Sequence, residues 1–145
     1  MMGFFGRKCA KTLGSSRFRT PPYRTEDPRN AGATCLAIIL SYYGKYLPEE
    51  QLGIQCHASA DGILLKDVVH TALRAGLEVQ YEPKTLKELR SIDRPVIVCV
   101  STARYFILEG VRRRKVLIND PYGERTSLAL KDFQAIYPGV VLIPL

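Results

Sequence analysis

Hydrophobic positions recur at two different spacings along the chain, and the spacing changes near its middle. In the first half Leu36, Ile39, Leu40 and Tyr43 follow the three-to-four residue interval of a helix. Asn30 stands where an N-cap belongs and Gly44 where a helix-ending glycine belongs, so a helix is predicted between them. "PEEQLGIQC" predicts a short second helix, with Pro48, Glu49 and Glu50 at the end where the helix dipole favours acids. "ADGILLKDVVHTALRAG" predicts a third, with Leu65, Val68, Val69, Ala72 and Leu73 as its apolar stripe and Gly76 closing it.

The second half is patterned for strands. "LEVQY" predicts a short one, and "TLKELRSI" a short helix opened by a capping box of Thr85 and Glu88. "RPVIVCV", "RYFILEGV", "KVLIND" and "GVVLIPL" then read as β runs separated by turns. Arg112–Lys115 predicts a charged hairpin turn, "DPYGE" another turn, and "LKDFQAIY" one more short helix. Helices come first and an antiparallel-leaning sheet follows. That is an α+β order, not the alternation of βαβ units.

Composition adds that the 145 residues suit one domain with a real core. The net charge of +7 is unevenly spread. Arg7, Lys8, Lys11, Arg17, Arg19 and Arg24 precede the first acid, which leaves 15 of the 21 basic residues against all 14 acids in the remainder. We therefore expect a solvated, flexible basic tail over residues 1–18, with docking on an anionic membrane surface or a partner as the alternative, and a domain over 19–145. No helix-turn-helix or RNA-binding signature accompanies the charge, so no nucleic-acid partner is expected. The apolar start precedes the charge, the reverse of a signal peptide, and no apolar run approaches a membrane span. Cys9, Cys35, Cys56 and Cys99 match no zinc or CxxC spacing, so no metal and no cofactor are expected. Cys35 and Cys99 lie in apolar runs and read as buried thiols, reduced in a cytoplasmic setting.

A helix N-terminus facing a sheet can present a nucleophilic thiol, because dipole and amides stabilise the thiolate. A histidine held by an acid then serves as base, and an upstream amide side chain stabilises the oxyanion. Here Ala31 occupies the helix mouth. "AGATCLAIILSYYG" nevertheless resembles, nearly position by position, the nucleophile helix of the bacteriocin-processing cysteine peptidases. Those enzymes cut double-glycine leader peptides, and in many relatives the domain stands at the N-terminus of a peptide-exporting ABC transporter. Asp61–Gly62, "RPVIV", "YFILEG", "INDPYGER" and "LKDFQAIYPGVVLI" extend the resemblance, in order, over about residues 19–145. It implies a papain-like fold.

The same resemblance places the family's nucleophilic Cys on Ala31, its oxyanion Gln on Thr25 and its His on Tyr105, or on Arg104 with a different gap. Only the acid remains, as Asp120, which either hydrogen-bonds Tyr105 or shapes the "DPYG" turn. Loss of nucleophile or base costs on the order of a million-fold in a hydrolytic triad, so no proteolysis by the usual route is expected. The implied function is binding of a leader peptide or export cargo without cleavage, at the inner face of a membrane with an ABC transporter. Gly32 and Ala33 would offer backbone donors, and Tyr42, Tyr43 and Tyr105 apolar contact, although core packing is the alternative for Tyr42 and Tyr43. Two other readings stay open: a rerouted peptidase using Cys35 with His57 or His70, and a structural docking module.

Overall fold

The computed structural model describes residues 17–145. A 3-10 turn, Pro28–Asn30, leads into α1 (Ala31–Tyr42), followed by α2 (Glu49–Gln55) and α3 (Leu65–Arg74). The remainder runs β1 (Val79–Pro83), α4 (Leu86–Leu89), β2 (Val96–Ser101), β3 (Arg104–Arg112), β4 (Lys115–Asn119), β5 (Arg125–Ala129), α5 (Leu130–Ile136) and β6 (Val140–Pro144). The strands form one sheet in the order β1-β6-β2-β3-β4-β5, and every pairing is antiparallel. This is the α+β architecture that the order of patterns predicts.

Strand alternation divides the core in two. Ile97, Tyr105, Ile107 and Leu142 face one way and pack with α1, α2 and α3. Val96, Val98, Phe106 and Leu108 face the other way and pack with Leu89 of α4 and Phe133 of α5. The helix α1 lies inside the first layer with Ala31 through Ser41 all buried, rather than burying only one stripe. Its short side chains, Ala31, Gly32, Ala33 and Ala37, allow the sheet and the neighbouring helices to approach it closely.

Several local signals hold. Gly44 and Gly76 follow their helices with φ of 84° and 90°. Thr85 and Glu88 make both bonds of the capping box. The tight turn between β3 and β4 falls at Arg113 and Arg114, with Arg112 paired to Lys115.

Other expectations need correction. Asn30 makes no capping hydrogen bond, because its side chain is turned against Gly53 of α2. The lead-in cap is Asp27, which accepts from the Arg29 amide at 3.0 Å. The third helix begins only at Leu65, and Leu73 is 61% exposed rather than part of the stripe. Thr71, fully buried, lies on the inner side instead. The strand β5 was not foreseen from its mostly exposed, polar "RTSLA" pattern; as the sheet edge it needs only one neighbour. Residues 1–16 of the expected tail lie outside the described residues, whereas Arg17 and Phe18 are already tied to β3.

Candidate functional site

The lead-in segment reaches the helix mouth because a buried carboxylate holds it there. Glu109 of β3 is fully buried and accepts from the Thr20 amide at 2.8 Å, the Thr20 hydroxyl at 2.6 Å and Arg17 Nε at 2.8 Å. Arg125 of β5 donates to both carboxylate oxygens, at 3.0 and 3.1 Å, and also to the Thr20 carbonyl. Asn119 completes the clasp by donating to the Thr20 hydroxyl and the Pro21 carbonyl, while Arg24 donates to the Asn119 side chain. Burial alone pushes the Glu109 pKa up, but the donors from Arg125, Thr20 and Arg17 outweigh it and hold the carboxyl below its ordinary range. Every acceptor site of the charge is engaged, which is the condition for a stable buried ion.

Beyond the clasp, the Thr25 amide donates to the Pro121 carbonyl at 2.8 Å, fixing the lead-in against the loop after β4. The Thr25 hydroxyl accepts from the Asp27 amide and shapes the approach to the 3-10 turn. Ala31 follows, 1% exposed, with its amide already donated to the Pro28 carbonyl.

Tyr105 fills the space opposite. It is 1% exposed, and its ring lies so close to Gly32 that a Cβ there would meet Tyr105 Cε1 at 3.0 Å. Its phenol donates to the Ile63 carbonyl at 2.6 Å. Burial, with the neighbouring Cys99 thiol of β2, raises the phenol pKa well above the usual value, so it is a neutral donor.

Ile63 is itself pinned. Its amide donates to the Thr102 carbonyl at 2.8 Å, and the Thr102 hydroxyl donates back to the Asp61 carbonyl. Between them Gly62 adopts φ 101°, and a Cβ on it would fall 2.0 Å from the Thr102 carbonyl oxygen. No other residue fits this close approach of loop to turn. The Asp-Gly pair therefore sets the carbonyl to which Tyr105 is bound.

Asp120 takes the turn role. Its Oδ1 accepts from the Tyr122 amide at 3.0 Å and its carbonyl from the Gly123 amide. It makes no hydrogen bond to Tyr105, whose donor is spent on Ile63. Arg104, the alternative at the base position, is exposed.

The helix-mouth residues thus come together, but not as an open groove. Gly32, Ala33 and Tyr105 are buried, so the expected backbone donors and the Tyr105 contact are covered by the protein itself. Tyr42 and Tyr43 lie at the other end of α1, about 16 Å away by helical rise. Both are surface residues, 37% and 40% exposed, meeting edge to face at 5.1 Å; neither is core. Beside that end of α1 is a cleft of about 490 Å³, whose lining includes Tyr23, Arg24, Ser41 and Tyr46.

Among the described residues no thiol–imidazole pair forms at the mouth. Cys35 is fully buried one turn into α1, and burial, with the charge of Asp120, raises its thiol pKa well above the usual range. Cys99 is only partly buried. His57 is an exposed residue 3.6 Å from Asp67, and His70 is exposed on α3. No metal-binding cluster exists among the described residues.

This frame has known counterparts. Residues 19–144 match the Peptidase C39 family. The chain belongs to that family. It is 25% identical over 126 residues to the probable microcin-H47 secretion/processing ATP-binding protein MchF of Escherichia coli, covering 87% of this chain and 18% of that protein. The chain therefore spans under a fifth of that relative's length. A solved double glycine motif protease from an AMS/PCAT transporter, in complex with its leader peptide, superposes with a TM-score of 0.82 at 26% identity, covering 89% of this chain and 93% of that one. The peptidase domain of Streptococcus ComA, a bi-functional ABC transporter involved in quorum sensing, shares the fold with a TM-score of 0.80 at 19% identity, covering 88% and 97%. Among the described residues, no helix is long and apolar enough to cross a membrane.

Sequence reading passed over Glu109. It lies within a quoted motif, "YFILEG", but its partners are 16 to 92 residues away along the chain. The available signal was a lone acid in an otherwise apolar strand.

Proposed function

We propose that this C39 domain holds a leader peptide or export cargo without cutting it, as part of an ABC-transporter peptide secretion system at the cytoplasmic face of a membrane. The supporting observation is the packing of Tyr105 against Gly32 beside Ala31. An aromatic ring occupies the space between helix mouth and sheet, and the residue at the mouth carries only a methyl group. With no nucleophile and no base there among the described residues, the steps of thiol catalysis have no carrier.

Peptide contact then falls to exposed surface. Tyr42 and Tyr43, with the adjoining cleft lined by Tyr23 and Tyr46, offer aromatic area with hydroxyl tips, a combination suited to amphipathic peptide. Titrating the purified domain with a fluorescent double-glycine leader tests both halves of the reading. The expected result is saturable binding with no cleaved product, weakened at least tenfold in the double variant Tyr42→Ala, Tyr43→Ala. Cleavage that Cys35→Ser abolishes would establish a rerouted peptidase instead. Absence of binding would remove the peptide-holding role.

A further inference from the structure

The hairpin between β3 and β4 carries a cluster of charge that the helix-mouth site does not use. Arg112, Arg113, Arg114 and Lys115 are consecutive and all exposed. Among the described residues none of these four side chains has an acidic partner. The contrast is with Arg17 and Arg125 on Glu109, Arg29 on Asp27 and Arg94 on Asp93. Lys131 adds a further exposed cation beside them, since the Leu130 amide donates to the Arg114 carbonyl and Lys115 pairs with Ala129. Asp132 is the one acid in that first turn of α5.

Arg113 has φ 55°, a left-handed turn position at which glycine or asparagine is ordinarily found. Turn chemistry does not account for an arginine there, and such outliers collect where function requires them.

We propose that this hairpin is an electrostatic docking tip for an anionic lipid bilayer. Charge supplies the attraction, and the surroundings choose among anionic partners. Among the described residues, the tip offers no aromatic platform for bases and no exposed large apolar residue to anchor a protein interface. Tyr122, the exposed aromatic of this part of the sheet, lies on the loop at the opposite end of β4. A fluid anionic surface needs neither feature, only cations held near it. Tyr105 and Arg112 stand near opposite ends of β3, roughly 20 Å apart by strand rise. Docking through the hairpin therefore turns the helix-mouth end away from the bilayer. The proposal stands whether or not the domain holds a peptide.

The test is co-sedimentation of the full chain with phosphatidylcholine vesicles containing about a third phosphatidylserine, at low and high salt. The unaltered chain is expected to bind these vesicles, release in high salt, and ignore vesicles of phosphatidylcholine alone. The variant Arg112→Gln, Arg113→Gly, Arg114→Gln, Lys115→Gln is expected to lose several-hundred-fold in partitioning, about fivefold per cation. Its thermal unfolding, unchanged or raised because glycine suits the turn, confirms that it folds. Replacing the three arginines by lysine is expected to leave binding within a few-fold. Three results would overturn the proposal: no binding to anionic vesicles, unchanged binding by the neutral variant (which would assign it to other cations, such as Arg7, Lys8 and Lys11), or tighter binding to a poly-glutamate peptide than to the vesicles.

Discussion

Two positions four residues apart on β3 show opposite ways of filling a protein interior. At Tyr105 the interior is almost wholly apolar: a ring against a glycine, with one hydroxyl satisfied by one carbonyl. At Glu109 it is ionic, with a buried carboxylate held by Arg17, Thr20 and Arg125. The difference teaches which parts of such a domain are free to change. A site that needs only volume accepts another side chain of suitable size. A buried charge with several donors does not, because removing any member strands the others.

The largest effect we predict concerns the first position. Thr25→Gln, Ala31→Cys and Tyr105→His together should create a thiol with depressed pKa and some cleavage of a double-glycine leader. The ceiling is the roughly million-fold that a triad contributes. An introduced thiol that titrates like free cysteine, around 8.5, would show that the helix mouth is not the catalytic position.

Next comes the ionic clasp. Glu109→Ala should destabilise by about 3–5 kcal/mol in urea unfolding, since it leaves the partly buried guanidinium groups of Arg17 and Arg125 unpaired. A loss below about 1 kcal/mol would mean the clasp is solvated. The same carboxylate sets a pH dependence. Its folded pKa is depressed, so its stabilisation is present above the unfolded value of about 4.3 and is lost as pH falls through the lower folded value. Glu109→Gln should flatten the fall in stability with acid over that window.

A smaller effect comes from the loop that abuts the turn between β2 and β3. Gly62→Ala places a methyl in the Thr102 carbonyl at a left-handed φ, and should cost about 2–3 kcal/mol. Thermal melts would show it, with the loss greatest in protection of the Asp61–Ile63 loop by hydrogen exchange. The smallest is Tyr105→Phe, which leaves the buried Ile63 carbonyl without its phenol donor, for about 1–2 kcal/mol. If Tyr105→Phe matches or exceeds Glu109→Ala, the contrast between the two positions fails.

Much of the architecture was legible because it depends on neighbours in sequence. Helical spacing, the glycines after α1 and α3, the Thr85–Glu88 box and the Asp120 turn each involve residues within about a helical turn. Asn30 shows the limit of that logic. It has the right residue type at the right place, but Gly53, 23 positions away, leaves room for its side chain to turn aside. Strand β5 escaped detection for a related reason, since an edge strand with little buried area carries little hydrophobic pattern.

The sequence by itself determined the α+β order and the antiparallel sheet, with the motifs that mark the family in their order along the chain. It could do so because those signals are local periodicities and ordered motifs. Only the tertiary structure decided that Tyr105 closes the helix mouth, that Tyr42 and Tyr43 face solvent at the far end of the same helix, and that Glu109 clasps the lead-in. Those outcomes are set by which surfaces meet across the sheet, and burial and hydrogen-bond satisfaction between distant segments have no period along the chain.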